Sequence, residues 1–467
     1  MNNLLSLRGR NRELESLLQK FELARAREPQ FVVVSGPRRV GKTFLLRHLL
    51  DRANDFTTVY FEATEAGERD QLRRFTREVA KALPEDSLLP EASFSDWEQA
   101  ISTCEFIAIT QPIAVVIDEA TYLMASTNGF ASIIQEVWDR ISVRSIRAQF
   151  VLILSGSAVG LIEDALRYKG SLYQRPTHWL KMNPFSASEA YKFAGQPDPT
   201  SLLEAYTASG GYPLHLDAWD FSSSTNDNLL RLAGSPGALL LEDANLLLTS
   251  LPDTHRQVLI AVGQGRTKRG EIANEVSVRI DRALESLINA RLISATTPIG
   301  APLKARPIYR IVDPYLRFWI RILSNHLQRI EAGQGLNVLR SKEGEWQTLL
   351  GLVFEQAARE HANRLIAAGV IDSEAVVDEW WSTSGEQCQV DVLGLSGKRT
   401  TIIGEARWQQ QPLGRSVVNE LGRALRFVPE PVPDPWLLLW GRGGVREDVC
   451  VGKIMGFGPK HMLSEHI

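Results

Sequence analysis

The sequence has only three cysteines in 467 residues, Cys104, Cys388 and Cys450, far apart and with neither CxxC nor metal-ligand spacing. That leaves no disulfide or zinc framework and fits a reducing compartment. An excess of either charge is lacking too: a formal net charge of −3 argues against a uniformly basic nucleic-acid binder. Screening over about 8 Å at physiological salt still lets local patches act. No run approaches the roughly 18 uninterrupted apolar residues of a membrane span. The start, Met1-Asn2-Asn3-Leu4-Leu5, lacks the charged-then-apolar order of a targeting leader. We therefore expect a cytoplasmic protein with no membrane partner.

What is present is an ordinary globular composition, 44% hydrophobic and 23% charged. The chain is too long for one core, and about 100–200 residues per domain predicts several units. The most informative stretch is Gly36-Pro37-Arg38-Arg39-Val40-Gly41-Lys42-Thr43, between the apolar run Phe31–Val34 and the helical pattern Phe44, Leu45, Leu46, Leu49, Leu50. This GxxxxGK[ST] spacing reads as strand, phosphate loop, helix. Glycines let backbone N–H groups close on a phosphate, the helix N-terminus adds positive potential, Lys42 reaches the β/γ-phosphates, and the Thr43 hydroxyl ligates Mg²⁺. The plainer alternative is a Gly-rich turn before a helix.

A second apolar strand, Ile113–Ile117, ends in Asp118-Glu119, the layout of a Walker B strand. Asp118 is then expected to hold Mg²⁺, directly or through water, and Glu119 to polarise the attacking water. Taken alone, a strand-end Asp-Glu is equally a solvated turn. Phe150–Leu154 is another buried strand, ending in Ser155-Gly156-Ser157. Either serine is placed to sense a γ-phosphate at the carboxyl end of a parallel sheet, or the turn simply caps the next helix.

The motifs GPRRVGKT, VVIDEATYL, LILSGS, Leu172-Tyr173-Gln174-Arg175 and Gly210-Gly211-Tyr212-Pro213 resemble those of the archaeal-type P-loop ATPases of the STAND/AAA-like group. The resemblance implies ATP as the nucleotide, the Arg10–Glu13 helix start beside the adenine pocket, and a lid whose Gly-Pro motif brings Pro213 to the nucleotide. The family's Leu-Tyr-Gly-Arg appears with Gln174 in the glycine position and Arg175 kept. An arginine finger is worth about 10³–10⁵ in rate; the alternative for Arg175 is a surface arginine.

From His255 the pattern of three helices and two short strands reads as a winged helix. Its basic residues include Arg256, Arg266, Lys268, Arg269, Arg279, Arg282, Lys304, Arg306 and Arg310. Duplex DNA is one expected partner; a packing module with a solvated basic face is the other reading. The Asp313-Pro314-Tyr315-Leu316-Arg317-Phe318-Trp319 segment resembles the opening of the domain of unknown function that accompanies this ATPase family. Further on, Glu355 lies on a helix, and Asp391 and Glu405 lie on successive strands joined by the turn Ser396-Gly397-Lys398. Three carboxylates so placed suit a hard cation such as Mg²⁺ and resemble the restriction-endonuclease-like core, with Arg407 where that family has lysine. A guanidinium stays charged where the family amine can shift its pKa, so turnover is expected to fall even if the metal site survives.

The expected architecture is an α/β chain: a P-loop NTPase parallel sheet over 1–182, a helical lid over 183–245, a winged helix over 246–312, a helical linker over 313–345, and a restriction-endonuclease-like α/β domain over 346–467. The expected function is an ATP-binding, Mg²⁺-dependent ATPase acting as a nucleotide-dependent switch coupled to a DNA-binding, nuclease-like region. Two alternatives stand beside it: an ATP-gated, metal-dependent DNA nuclease, and a non-enzymatic DNA- or protein-binding module with structural ATP. A homo-oligomer or a protein partner is expected in either setting.

Overall fold

The computed structural model describes residues 8–83, 93–143, 148–157, 159–302, 304–371, 373–383 and 385–464, so the segment Met1–Leu5 lies outside the described residues. The chain divides into two compact units, residues 1–184 and 185–467.

In the first unit, strands β1 (Gln30–Ser35), β2 (Thr57–Glu62), β3 (Ile113–Asp118), β4 (Phe150–Gly156) and β5 (His178–Lys181) form one sheet in the order β2-β3-β4-β1-β5. All neighbours run parallel. β1, β3 and β4 are buried along their whole length, which is why they read as unbroken apolar runs rather than alternating ones. Side chains alternate between faces. Phe31, Val33, Val115, Ile117, Leu152 and Leu154 pack beneath the helices Trp97–Ile107 and Phe130–Val143. Val32, Val34, Ala114, Val116, Val151 and Ile153 face helices Asn11–Arg25 and Lys42–Arg52. The edge strand β5 has no sequence signature because it is four residues long and only partly buried.

The second unit begins with helices that include Pro199–Ser209 and Leu239–Thr249. Leu202 and Tyr206, from the segment read as a lid, share a core with Phe354 and Ala358 of the 25-residue helix Glu343–Ala367. Helices Asp253–Gly263, Arg269–Val276 and Asp281–Asn289 then precede the antiparallel pair β6 (Ile293–Thr296) and β7 (Ile308–Ile311). Val258, Leu259, Ile272, Leu284 and Leu287 bury their common face. The segment after Pro314 winds into a π-helix over Trp319–Leu323.

The remaining strands, β8 (Val376–Trp381), β9 (Gln389–Ser396), β10 (Arg399–Arg407), β11 (Pro431–Gly441) and β12 (Ile454–Phe457), make a mixed sheet in the order β12-β11-β10-β9-β8. β9 runs antiparallel to both β8 and β10; β10, β11 and β12 are parallel. The long helix covers one face, and helix Arg415–Ala424 packs on the other through Val417 and Leu421. The apolar run Trp436–Trp440 lies in β11; the edge strand β12 beside it is short and only partly buried, so it leaves little pattern in the sequence. Among the described residues no helix is long and apolar enough to cross a membrane.

Candidate functional site

The carboxyl ends of β1, β3 and β4 lie side by side, and each carries one piece of the site. After β1 the chain turns through Gly36–Gly41 into the helix starting at Lys42. Two glycines are required here. A Cβ on Gly36 would sit 2.3 Å from the Met182 carbonyl oxygen, and Gly41 adopts φ 96°, where a side chain is strained.

Lys42 is 5% exposed and donates to the carbonyls of Gly36 (2.9 Å) and Pro37 (3.1 Å). Its Nζ lies 3.8 Å from Glu119 Oε1. Burial pulls its pKa below the ordinary lysine value, while Glu119 and Asp118 pull the other way. A desolvated cation held in a loop of backbone amides is an incomplete ion pair, suited to an arriving anion.

Asp118 is fully buried. Its Oδ2 accepts from the Thr43 hydroxyl (2.7 Å) and from the Tyr60 phenol (2.6 Å); its Oδ1 accepts from the Glu119 N–H (3.0 Å). Burial, then Asp118, pushes the Tyr60 phenol above its usual pKa, so it stays a donor. Glu119 takes a left-handed backbone, φ 51°, which costs a non-glycine residue roughly 1–2 kcal/mol. The turn directs its carboxylate toward β4, where Oε2 accepts from the Ser157 hydroxyl (2.7 Å) and N–H (3.1 Å). Ser157 therefore grips Glu119, a contact absent from the sequence reading. Ser155 is buried, and among the described residues its hydroxyl has no hydrogen-bond partner.

With this geometry in view, the comparisons with known proteins are direct. Residues 8–218 match a family described as an ATPase domain predominantly from Archaea, and residues 319–419 match one described as archaeal and bacterial proteins of unknown function. Over residues 8–218 the chain is thus similar to archaeal-type ATPase domains. An uncharacterized protein of Methanocaldococcus jannaschii is 26% identical over 415 residues, 86% of this chain and 87% of that one. Among solved structures, a Walker-type ATPase of Pyrococcus abyssi has a TM-score of 0.50 at 19% identity, covering 68% of this chain and 96% of its own. The ORC2 protein of Aeropyrum pernix, in ADPNP–ADP complexes, has a TM-score of 0.48 at 14% identity, covering 73% and 96%.

Of the other residues singled out in the first unit, Arg38 donates to the Tyr122 hydroxyl (2.9 Å). Arg175 is engaged by both oxygens of Asp139 (3.2 Å each) and by the Tyr173 carbonyl (2.7 Å). Among the described residues none of its hydrogen bonds reaches the phosphate loop. Gln174 sits at φ 57°, a conformation that explains why a glycine suits this position and that glutamine adopts at a cost. Pro213 opens the short helix Pro213–Asp217 and belongs to the second unit. Next to it, Tyr212 donates to Asp313 Oδ2 at 3.0 Å.

The second carboxylate constellation is also assembled within one unit. The antiparallel register of β9 and β10 runs to Val392↔Gly404, so Asp391 and Glu405 stand opposite each other one step further on. Asp391 Oδ2 accepts from the Ala406 N–H at 3.1 Å. Glu355 and Glu405 have pKa values raised above the ordinary carboxylate range, first by burial and then by Asp391; Asp391 is raised by burial. Among the described residues no three His, Cys, Asp or Glu side chains are grouped closely enough to hold a metal ion. Arg407 bonds Glu405 (3.1 Å) and Glu420.

A fourth carboxylate, Glu379 on β8, was not legible in the sequence. It is buried, acts electrostatically on Glu355, and is clamped by Arg310 from β7. Arg310 is thereby withdrawn from the basic stripe, as are Arg269, paired with Asp281 (2.8 Å), and Arg266, paired with Glu275 (3.2 Å). Arg279, Arg282, Lys304 and Arg306 remain exposed.

Proposed function

We propose that the chain binds ATP with Mg²⁺ at the carboxyl ends of β1, β3 and β4, hydrolyses it, and uses the cycle as a switch on its second unit. The observation that carries this reading is the convergence of Lys42 and Thr43, at the start of the helix after β1, with Asp118 and Glu119, at the end of β3, on one polar site. Residues 36–43 wrap the phosphates with backbone N–H groups, and Lys42 exchanges its loop carbonyls for phosphate oxygens. Thr43 and Asp118 supply the hard oxygen donors that suit Mg²⁺, which neutralises phosphate charge when bound. Glu119 orients and polarises the attacking water, with Ser157 fixing its carboxylate. Arg175 joins the site only after it leaves Asp139.

The test is phosphate release by the full chain, with and without duplex DNA, beside Lys42→Ala and Glu119→Gln. We expect turnover that both substitutions abolish. Turnover that persists in Lys42→Ala refutes the assignment. DNA stimulation would identify the helix-and-hairpin segment as a winged-helix sensor, a role supported by exposed Arg279 and Arg282.

A second reading, an ATP-gated, metal-dependent nuclease, is favoured by the pairing of Asp391 opposite Glu405 on β9 and β10, with burial and then Asp391 raising the pKa of Glu355 and Glu405. Arg407 is the departure from the nuclease pattern. Arg407→Lys is expected to raise Mn²⁺-dependent plasmid nicking at least about tenfold, the scale of a restored general catalyst, and Asp391→Ala to abolish it. The absence of nicking in wild type and Arg407→Lys alike refutes this reading.

A further inference from the structure

The buried carboxylate of Asp118 has three donors of different origin. Thr43 comes from the phosphate loop and the Glu119 N–H from the adjoining turn, but Tyr60 comes from β2, a strand that carries neither motif. Parallel pairing of Tyr60 with Val116, two residues before Glu62 pairs with Asp118, sets its reach. The Arg47 guanidinium lies 5.2 Å from the Tyr60 ring centroid and packs the ring in place from the helix that follows the phosphate loop.

We propose that Tyr60 is a positioning residue of the nucleotide site, fixing through its phenol the Asp118 carboxylate that takes part in holding the divalent cation. This rests on the nucleotide reading above. The terminal torsion of an aspartate is broad and weakly defined, so the donors decide its orientation. Thr43 has one O–H and two lone pairs, so its oxygen can face a cation while its proton stays on Asp118. Thr43 is then shared between cation and carboxylate, and Asp118 takes a second side-chain donor. Tyr60 supplies the anchor from a rigid sheet position outside the loop. Both side-chain donors fall on Oδ2, and among the described residues Oδ1 keeps the adjacent backbone N–H alone.

The test measures binding of a fluorescent ADP analogue by the full chain, in EDTA and across a Mg²⁺ series. The proteins are wild type, Tyr60→Phe, Asp118→Asn and the double variant. We expect the Mg²⁺ concentration giving half of the metal-dependent tightening to rise about tenfold in Tyr60→Phe, the usual scale for losing a partner that orients a ligand. In the Asp118→Asn background Tyr60→Phe should add nothing further. An unchanged Mg²⁺ midpoint in Tyr60→Phe, or an equal shift in both backgrounds, overturns the inference while leaving the nucleotide site standing. Wild type that fails to bind the analogue under any condition overturns the nucleotide reading itself. Should melting curves show Tyr60→Phe destabilised, the same titration is run at a temperature where the variant is folded; a midpoint equal to that of wild type then overturns the proposal.

Discussion

Replacing Lys42 by methionine separates what the site does for function from what it costs the fold. The substitution removes two hydrogen bonds to the Gly36 and Pro37 carbonyls, worth about 1 kcal/mol each net. It also removes a buried ammonium whose pKa is depressed by desolvation, a penalty of several kcal/mol for an imperfectly paired charge. The second effect is larger, so without nucleotide Lys42→Met should stabilise the first unit by about 1–2 kcal/mol, or roughly 2–8 °C for a unit of this size. The sign with pH follows: a lysine with a depressed folded pKa destabilises most where it is charged. The advantage of methionine should therefore be full at neutral pH and shrink as the lysine deprotonates in alkali. With ATP·Mg²⁺ at a hundredfold excess over Kd, wild type should gain about 2.7 kcal/mol and the variant nothing. Differential scanning calorimetry of both proteins, with and without nucleotide, reads all four states. A variant that is less stable than wild type without nucleotide, or that keeps the nucleotide shift, would refute the argument that Lys42 is a strained anion receptor.

Three other outcomes follow from the same geometry. Ser157→Ala removes the stronger of the two donors on Glu119 Oε2; turnover should fall about tenfold, within the range of a misaligned general base, while the nucleotide-induced melting shift persists, and loss of both would make Ser157 structural. Arg310→Ala leaves Glu379 buried without its clamp, and after discounting for the partly exposed guanidinium it should cost about 2 kcal/mol in urea unfolding of the second unit; the double variant with Glu379→Gln should recover much of it. His361 is 1% exposed, accepts from the Trp440 indole (3.0 Å), and is held at a pKa of about 3 by burial and by nearby Arg364 and His461. A depressed folded pKa keeps stability full above the unfolded value and loses it as pH falls, so moving from pH 7 to pH 5 should cost about 2 kcal/mol; His361→Gln should flatten that slope, and an unchanged slope would refute it.

The phosphate loop was legible because its function demands residue types at fixed chain spacing: two glycines, a lysine and a threonine within eight positions. β3 and β4 were legible because burial on both faces leaves unbroken apolar runs. Tyr60, Ser157 and Glu379 left no such trace. A tyrosine in a strand, a serine after one and a glutamate in another are ordinary residues there, and their partners lie 58, 38 and 69 positions away. The basic segment before β7 was legible as charge, yet several of its arginines are committed to ion pairs that composition cannot show.

By itself the sequence determined the identity of the phosphate loop, the acidic strand end and the hairpin of carboxylates, because each is a local pattern whose chemistry is carried by neighbours in the chain. The tertiary structure alone decided how those groups are held. Sheet order placed β4 between β1 and β3, which put Ser157 within reach of Glu119, and β2 beside β3, which put Tyr60 on Asp118. The burial that shifts Lys42 is likewise a property of the packed sheet ends, because desolvation and Coulomb interaction depend on distance in space and not along the chain.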